Sequence, residues 1–276
     1  MFANSKLRGG MAGGRFTAFI QRWLVFAICV LVWQWGATVT NNVVFPTPLA
    51  IVRKAQQLWL DGPPSRLFLG SGINTDILPS IGRLAGGWAI ASVAGIVIGI
   101  VIGLVPVLAD YTGMVLAFMR AVPPVMLVPV FLVLFHIGTP MQLATIVFGS
   151  IWPVLLNSVD GARSVDPIKA DTARAYRIGR VRWLVSVVLP AASPKIFAGL
   201  RINLAFALIL MVVSELVGST DGLGYQITNA KDTFDYKTMW AGIVLVSMLG
   251  YVLNRLLVTV ENQALAWHHS TRLLEG

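Results

Sequence analysis

The chain has 276 residues, of which 56% are hydrophobic and 12% charged, and its mean hydropathy is +0.76. Soluble domains carry about 25% charged residues, so half that share together with long apolar runs excludes an ordinary soluble enzyme and points to an all-α, polytopic membrane protein. The net charge of +9 does not indicate nucleic acid, because the basic residues gather at the ends of apolar runs, as orientation signals do.

Chemistry-bearing residues are few. Cys29 is the single cysteine, so no disulfide forms within the chain, and no Cys/His spacing fits a metal. His268 and His269 read as part of a solvated tail. No Walker motif is present, so the chain is not expected to hydrolyse nucleotide.

At the N-terminus, Lys6, Arg8, Arg15 and Arg22 precede an apolar run from Trp23 to Trp35. A signal peptide has this outline, but Trp33, Gln34 and Trp35 stand where small residues would precede a cleavage site. The expectation is a short leader (1–16) and an uncleaved first span. About 20 mostly apolar residues cross a bilayer. On that basis six spans are expected at about 17–38, 81–105, 111–136, 141–160, 192–214 and 238–260, forming one transmembrane domain (17–264) with a tail (265–276).

Six spans put both termini on one side, and the basic residues choose it. The connection from Asp160 to Lys195 holds seven: Arg163, Lys169, Arg174, Arg177, Arg180, Arg182 and Lys195. Residues 39–78 hold Arg53, Lys54 and Arg66, and residues 215–237 hold Lys231 and Lys237 against four acids. Both termini and the 160–195 connection are therefore expected in the cytoplasm.

Between the first two spans, Pro46 and Pro48 open a segment with Leu49, Ile51, Val52, Ala55, Leu58 and Trp59 on one helical stripe. It fits an amphipathic helix, either at the outer membrane interface or packed on the outer ends of the spans. Gly95, Gly99 and Gly103 recur every fourth residue in span two, which suits close helix packing; a glycine-lined pore is the alternative. Arg120-Ala-Val-Pro123-Pro124 interrupts span three. Irregular backbone in a membrane lines a route or is covered by protein, so a translocation route and a plain kink both fit. Pro153 is expected to kink span four. Charges in or beside spans are rare and usually functional, and Arg83, Arg120, Arg201 and Glu215 are the ones of interest here; Arg201 lies within snorkelling reach of the cytoplasmic end of span five, and Glu215 has no obvious partner. After span five, Ser214 to Tyr225 reads as a turn or re-entrant loop on the outer face.

The basic connection has a defined order. Asp166 or Asp171 suits a helix cap and Pro167 a first helical position. A short helix, a turn and a re-entry at Leu189-Pro190 are expected. Asp171-Thr172-Ala173, three residues, Arg177, nine residues, Val187-x-Leu189-Pro190 resembles the signature of permease subunits of bacterial ATP-binding-cassette importers. That signature reads Glu-Ala-Ala, three residues, Gly, nine residues, Ile-x-Leu-Pro. Here Asp171, Thr172, Val187 and Arg177 depart from it. The glycine forms a turn in the family, and Gly179 is the candidate to take over. Pro46-Thr-Pro48, Ser80-Ile-Gly-Arg83, Arg120-Ala-Val-Pro-Pro124 and Glu215 with Gly222-Leu-Gly-Tyr225 resemble the branch that imports nitrate, sulfonates, taurine and related compounds.

The resemblance implies a six-helix permease of the bacterial inner membrane with a cytoplasmic coupling helix between helices four and five. It works with two ATPase subunits, which bind the ATP and Mg, and with an extracytoplasmic solute-binding protein; the chain itself is a transport subunit with no catalytic residue and no cofactor. A second, identical permease copy is expected. Asp171, Thr172, Ala173, Ala175, Arg177, Gly179, Leu189 and Pro190 are the expected ATPase-coupling residues, with Ala173 and Ala175 allowing close approach to the ATPase groove. Arg120, Pro123, Pro124, Glu215, Gly222, Gly224 and Tyr225 are candidates for the translocation route or its gate. The rivals are a secondary transporter or channel, which should carry mid-membrane ionisable pairs or an internal repeat, and a lipid-directed membrane enzyme, which should carry a catalytic cluster.

Overall fold

A computed structural model describes residues 10–62 and 70–266, and all regular structure among them is helical. Lys6, Arg8, Arg66, His268 and His269 lie outside the described residues. In chain order the helices are α1 (Gly10–Thr40), α2 (Pro48–Trp59), α3 (Leu78–Leu104), α4 (Pro106–Ala121), α5 (Val128–Phe135), α6 (Thr139–Arg163), α7 (Pro167–Ala175), α8 (Arg180–Trp183), α9 (Leu189–Gly218), α10 (Leu223–Asp232) and α11 (Tyr236–Ala264). Single π-type turns, Ile73–Ile77 and Leu184–Val188, run directly into α3 and α9. Five helical stretches are long and apolar enough to cross a membrane, six when α4 and α5 count as one broken span.

The chain divides into two compact units, one of residues up to Gly70 with Ala230–Ala241, the other of Ser71–Asn229 with the chain from Gly242. In the first unit, Thr47 Oγ1 accepts from the Ala50 amide at 3.3 Å and Pro48 opens α2, a standard N-terminal cap. Ile51 and Trp59 are buried, while Leu49 and Val52 are exposed. The inward stripe is thus narrower than the apolar pattern suggests, because only positions four apart stay on one line of a helix. Trp240 packs between Trp33 and Phe45, with ring centroids 5.4 and 5.9 Å away, and its Nε1 donates to the Val44 carbonyl at 2.9 Å.

Asp235 ties this unit together. It accepts from the Thr238 amide at 3.1 Å and the Thr238 hydroxyl at 2.7 Å, and meets Lys54 Nζ at 3.2 Å. Partial burial works to raise its pKa, but the Thr238 hydrogen bonds and Lys54 outweigh that and hold the carboxyl below its ordinary value. A carboxyl depressed in the folded state stabilises above its unfolded pKa, and that contribution is lost as pH falls through the folded pKa. Asp235→Asn is therefore expected to flatten the stability-versus-pH curve of detergent-solubilised protein from about pH 4 downward, read by tryptophan fluorescence during acid titration. An unchanged acid limb would remove this role for Asp235.

In the second unit α3, α6 and α9 form the core. The glycine series decides how closely they approach. A Cβ on Gly95 would lie 2.4 Å from Val154 Cγ1, one on Gly99 2.4 Å from the Leu155 carbonyl oxygen, and one on Gly103 2.7 Å from Ala162 Cβ. These residues carry the backbone of α3 against α6, as small residues do in lipid, so the packing reading holds and the glycine-lined pore does not. Gly161 and Gly199 likewise bring α9 close to α6, a Cβ on either lying 2.9 Å from Ala192 Cβ and Val154 Cα respectively. Within this core Asn203 Nδ2 donates to Ser92 Oγ at 3.0 Å, tying α9 to α3. Arg201 ion-pairs with Glu261 of α11 rather than extending alone towards an interface.

The third span is broken. α4 ends at Ala121, Val122 and Pro123 are extended, and the α4–α5 pair is bent by 80°. Pro123 and Pro124 lack the amides that the Met119 and Arg120 carbonyls would need to continue the helix. Pro124 seats on Gly149, where a Cβ would come within 2.7 Å of it. Phe131, Phe148 and Trp152 then run as an aromatic ladder between α5 and α6, with centroids 6.2 and 5.6 Å apart.

Candidate functional site

Two groups of candidate residues occupy different parts of the second unit. The first lies around Glu215, near the end of α9. Its side chain is 1% exposed and is the acceptor of a dense set of donors. Ser80 Oγ donates to both carboxylate oxygens at 2.8 Å, Arg83 Nη1 to Oε1 at 2.8 Å, and the Gly224 amide to Oε2 at 2.9 Å. Ser80 Oγ in turn accepts from the Leu223 amide at 2.8 Å. Arg83 also pairs with the Asp221 carboxylate and donates to the Asp221 carbonyl at 3.3 Å. The Gly222 amide donates to the Thr75 carbonyl at 2.9 Å.

The local sequence explains this assembly. Ser80 and Arg83 are three residues apart on α3 and so share a face. Gly222 has φ +99°, a conformation that L side chains rarely adopt. A Cβ there would lie 2.6 Å from Glu215 Cδ, and one on Gly224 2.6 Å from Glu215 Cβ. The Gly222-Leu-Gly224 run is therefore the loop that wraps the carboxylate closely enough for the Gly224 amide to reach it. A lone buried carboxylate is very costly; here the arginine and two neutral donors, the Ser80 hydroxyl and the Gly224 amide, offset that cost.

Glu215, Gly222 and Gly224 are thus brought together, and the expectation that Glu215 lacks a partner is corrected: Arg83, Ser80 and the Gly224 amide bind it. Sequence reading missed Ser80, Asp221 and Thr75 as members. The available signal was charge: Arg83 and Glu215 are an opposite pair within apolar spans, and such charges rarely stay alone. Arg120, Pro123 and Pro124 sit apart in sequence at the α4–α5 break, with Arg120 exposed. Tyr225 is partly exposed at the start of α10.

The second group is the basic segment. Asp166 caps α7, accepting from the Ile168 amide at 2.8 Å, and Pro167 occupies the first turn. Asp171 pairs with Arg174 at 3.1 Å on the exposed face, and Thr172 Oγ1 donates to the Ile168 carbonyl at 2.8 Å. Asp171, Thr172 and Ala175 are exposed. Ala173 is 8% exposed: its small side chain is used by this chain's own packing, which corrects the expectation that it lies open to a partner's groove.

α7 closes with a Schellman motif: the Ile178 amide donates to the Ala173 carbonyl at 2.9 Å and the Arg177 amide to the Arg174 carbonyl at 3.0 Å. The residue that turns the chain is Arg177, with φ +51°. Gly179 has φ −63° and ψ 148°, so it does not take over the turn. The turn stays at the signature position because two hydrogen bonds close only when the residue after the C-cap is left-handed. An arginine there costs roughly 1–2 kcal/mol that a glycine would not. Beyond it, α8 and the π-type turn lead into α9 at Leu189-Pro190, where Ser193 Oγ donates to the Pro190 carbonyl at 2.7 Å.

A family described as the binding-protein-dependent transport system inner membrane component matches residues 95–264. The chain is 31% identical over 249 residues to a protein of Bacillus subtilis (strain 168) designated an aliphatic sulfonates transport permease, covering 90% of this chain and 87% of the relative. It is 26% identical to a nitrate import permease protein of Leptolyngbya laminosa, covering 91% and 90% of the two chains. It is 27% identical to a taurine transport system permease protein of Escherichia coli (strain K12), covering 88% and 87%. Among solved structures, a chain of a methionine ABC transporter in inward-facing conformations is similar in fold, with a TM-score of 0.59 at 16% identity, over 68% of this chain and 94% of that one.

Proposed function

We propose, for a chain that belongs to the inner membrane components of binding-protein-dependent transport systems and is the permease subunit of an ABC-type importer, that α7 couples a partner ATPase to the membrane helices. The family works with a separate ATPase and a solute-binding protein. The observation that carries the reading is the build of the basic segment: a nine-residue helix, capped at both ends, anchored inward by buried Ala173 and open to solvent on its other faces. From Arg180 the chain continues as one helical stretch to Gly218. A push on α7 is thereby passed along α9 to Glu215, Arg83 and the Gly222-Leu-Gly224 loop.

In this reading both termini and α7 face the cytoplasm, in keeping with the concentration of basic residues between Asp160 and Lys195. Two identical copies and two ATPases form the importer, and ATP and Mg reside on the ATPases. The broken α4–α5 span supports a second copy, because the Pro123 break exposes irregular backbone that lipid does not satisfy; a facing chain or a water-lined route covers it. The cargo is a small oxyanion or sulfonate of the kind named for the relatives. ATP-driven closure of the ATPases moves α7 and rocks the spans between two states, with Arg120, Pro123 and Pro124 lining the route and the Glu215 network bracing its end.

A secondary transporter would need charge pairs near the middle of its spans. Among the described residues, the pairs Arg83 with Glu215 and Arg201 with Glu261 each include one residue near a helix end: Glu215 lies within a turn of the end of α9 and Glu261 within a turn of the end of α11. In proteoliposomes holding the permease, its ATPase and its binding protein, uptake should cease when the ATPase is made catalytically dead. Uptake that persists at the same rate would overturn the importer reading in favour of a carrier.

A further inference from the structure

We infer that Arg177 is a specificity residue for the partner ATPase: its guanidinium docks against a carboxylate of that ATPase and makes the association depend on charge. The inference rests on the coupling role proposed for α7. Arg177 occupies a left-handed position closed by two Schellman hydrogen bonds, where glycine is the undemanding choice. Its backbone therefore gains nothing from being arginine. What the side chain adds is an exposed, permanent charge.

That charge has company. Between residues 163 and 182 stand six basic residues against Asp166 and Asp171. Both acids are engaged, Asp166 in capping α7 and Asp171 with Arg174. Among the described residues Arg177, Arg180 and Arg182 make no ion pair, and all three are exposed. Ile168, Tyr176 and Val181 are exposed beside them, each more than two-thirds accessible. Exposed apolar anchors rimmed by unpaired cations are the pattern of a surface that meets an acidic protein partner. Orientation by the membrane potential needs cations near the bilayer, but it does not need one fixed in a strained turn.

The left-handed turn also fixes where the charge sits in the chain. Arg177 lies in the connection between α7, which ends at Ala175, and α8, which begins at Arg180, and so belongs to neither helix. A mismatched ATPase with a basic or apolar counterpart would leave Arg177 desolvated and unpaired, which is how repulsive elements enforce partner choice.

The test uses full-length permease in nanodiscs of zwitterionic lipid and the ATPase that copurifies with it from native membranes, with affinity measured over a salt series. Arg177→Gly and Arg177→Gln are expected to bind about tenfold more weakly at low salt, with a shallower dependence on salt. Arg177→Lys should retain most of the salt dependence. Arg177→Gly should be at least as heat-stable as the natural protein, which separates lost recognition from lost folding. Ile168→Asp serves as the control for the coupling surface itself. If Ile168→Asp abolishes binding while Arg177→Gly leaves affinity and salt slope unchanged, the charge inference is overturned and the coupling reading stands. If neither substitution alters binding, the coupling reading fails and takes this inference with it. A deficit in Arg177→Gly that appears only in nanodiscs with anionic lipid would assign the charge to the membrane surface and likewise overturn the inference.

Discussion

Glu215→Ala is expected to destabilise the permease by about 3–5 kcal/mol, the range for breaking a buried ion pair by removing one member. The side chain is 1% exposed and Arg83 is 6% exposed, so solvent cannot replace what is lost. The substitution leaves Ser80 and the Gly224 amide without their acceptor and Arg83 with only Asp221 and Ser219. It also empties the space that Gly222 and Gly224 are shaped to surround. Glu215→Gln keeps that shape but turns one carboxylate oxygen into a donor among donors, so an intermediate loss is expected. The check is thermal unfolding in detergent, followed by tryptophan fluorescence. The double variant Arg83→Met with Glu215→Met should recover part of the loss, because an apolar pair of similar volume removes the uncompensated charge. A Glu215→Ala protein within 1 kcal/mol of the natural one would mean that the network contributes little and that the loop is held by other contacts.

Gly99→Leu is expected to cost at least about 3 kcal/mol, the upper end of ordinary overpacking, and to abolish transport. The obstacle at Gly99 is backbone: a Cβ would lie 2.4 Å from the Leu155 carbonyl oxygen and 2.6 Å from Ser158 Cβ. A flexible side chain can swing away from an added methyl, whereas a carbonyl inside α6 cannot without moving the helix. Displacement of α6 would in turn disturb α9, which packs on it at Gly161 and Gly199. Gly82 lies on the same helix but has nothing within 4 Å of the position of a Cβ, so Gly82→Ala should be close to neutral. Purified yield and melting temperature of the two variants give the comparison. Equal behaviour at positions 82 and 99 would mean that α3 and α6 do not meet as described.

Some features were readable from the chain because their causes are local. Long apolar runs announce spans, since the bilayer demands about 20 such residues wherever they lie. The capped start of α7 follows from Asp166 and Pro167 standing next to each other. The signature resemblance rests on spacing together with Leu189-Pro190, both local features, and the Pro123-Pro124 pair announced the break in span three because proline removes its own donor. The expectation that Gly179 would form the turn after α7 failed for an equally physical reason. Residue preference suggests glycine, but hydrogen-bond closure chooses the position, and closure at Ala173 and Arg174 obliges Arg177 to turn.

Other features depend on residues far apart in the chain, which no local pattern reports. Arg83 and Glu215 are 132 positions apart. Each looked like an isolated charge near a span end until the approach of α3 and α9 joined them. The Gly222-Leu-Gly224 run reads in sequence as an outer-face loop and a candidate gate, and its need for glycine appears only when the Glu215 carboxylate occupies the space beside it. Ala173 read as part of a partner's binding face and is consumed by its own chain. By itself, the sequence determined that this protein crosses a membrane repeatedly and carries a capped basic segment, because composition, period and spacing are properties of consecutive residues, and its motifs resemble those of importer permeases. The tertiary structure alone decided which buried charges neutralise each other, which glycines are indispensable and which face of α7 stays open, because desolvation and steric contact depend on what surrounds a residue in space.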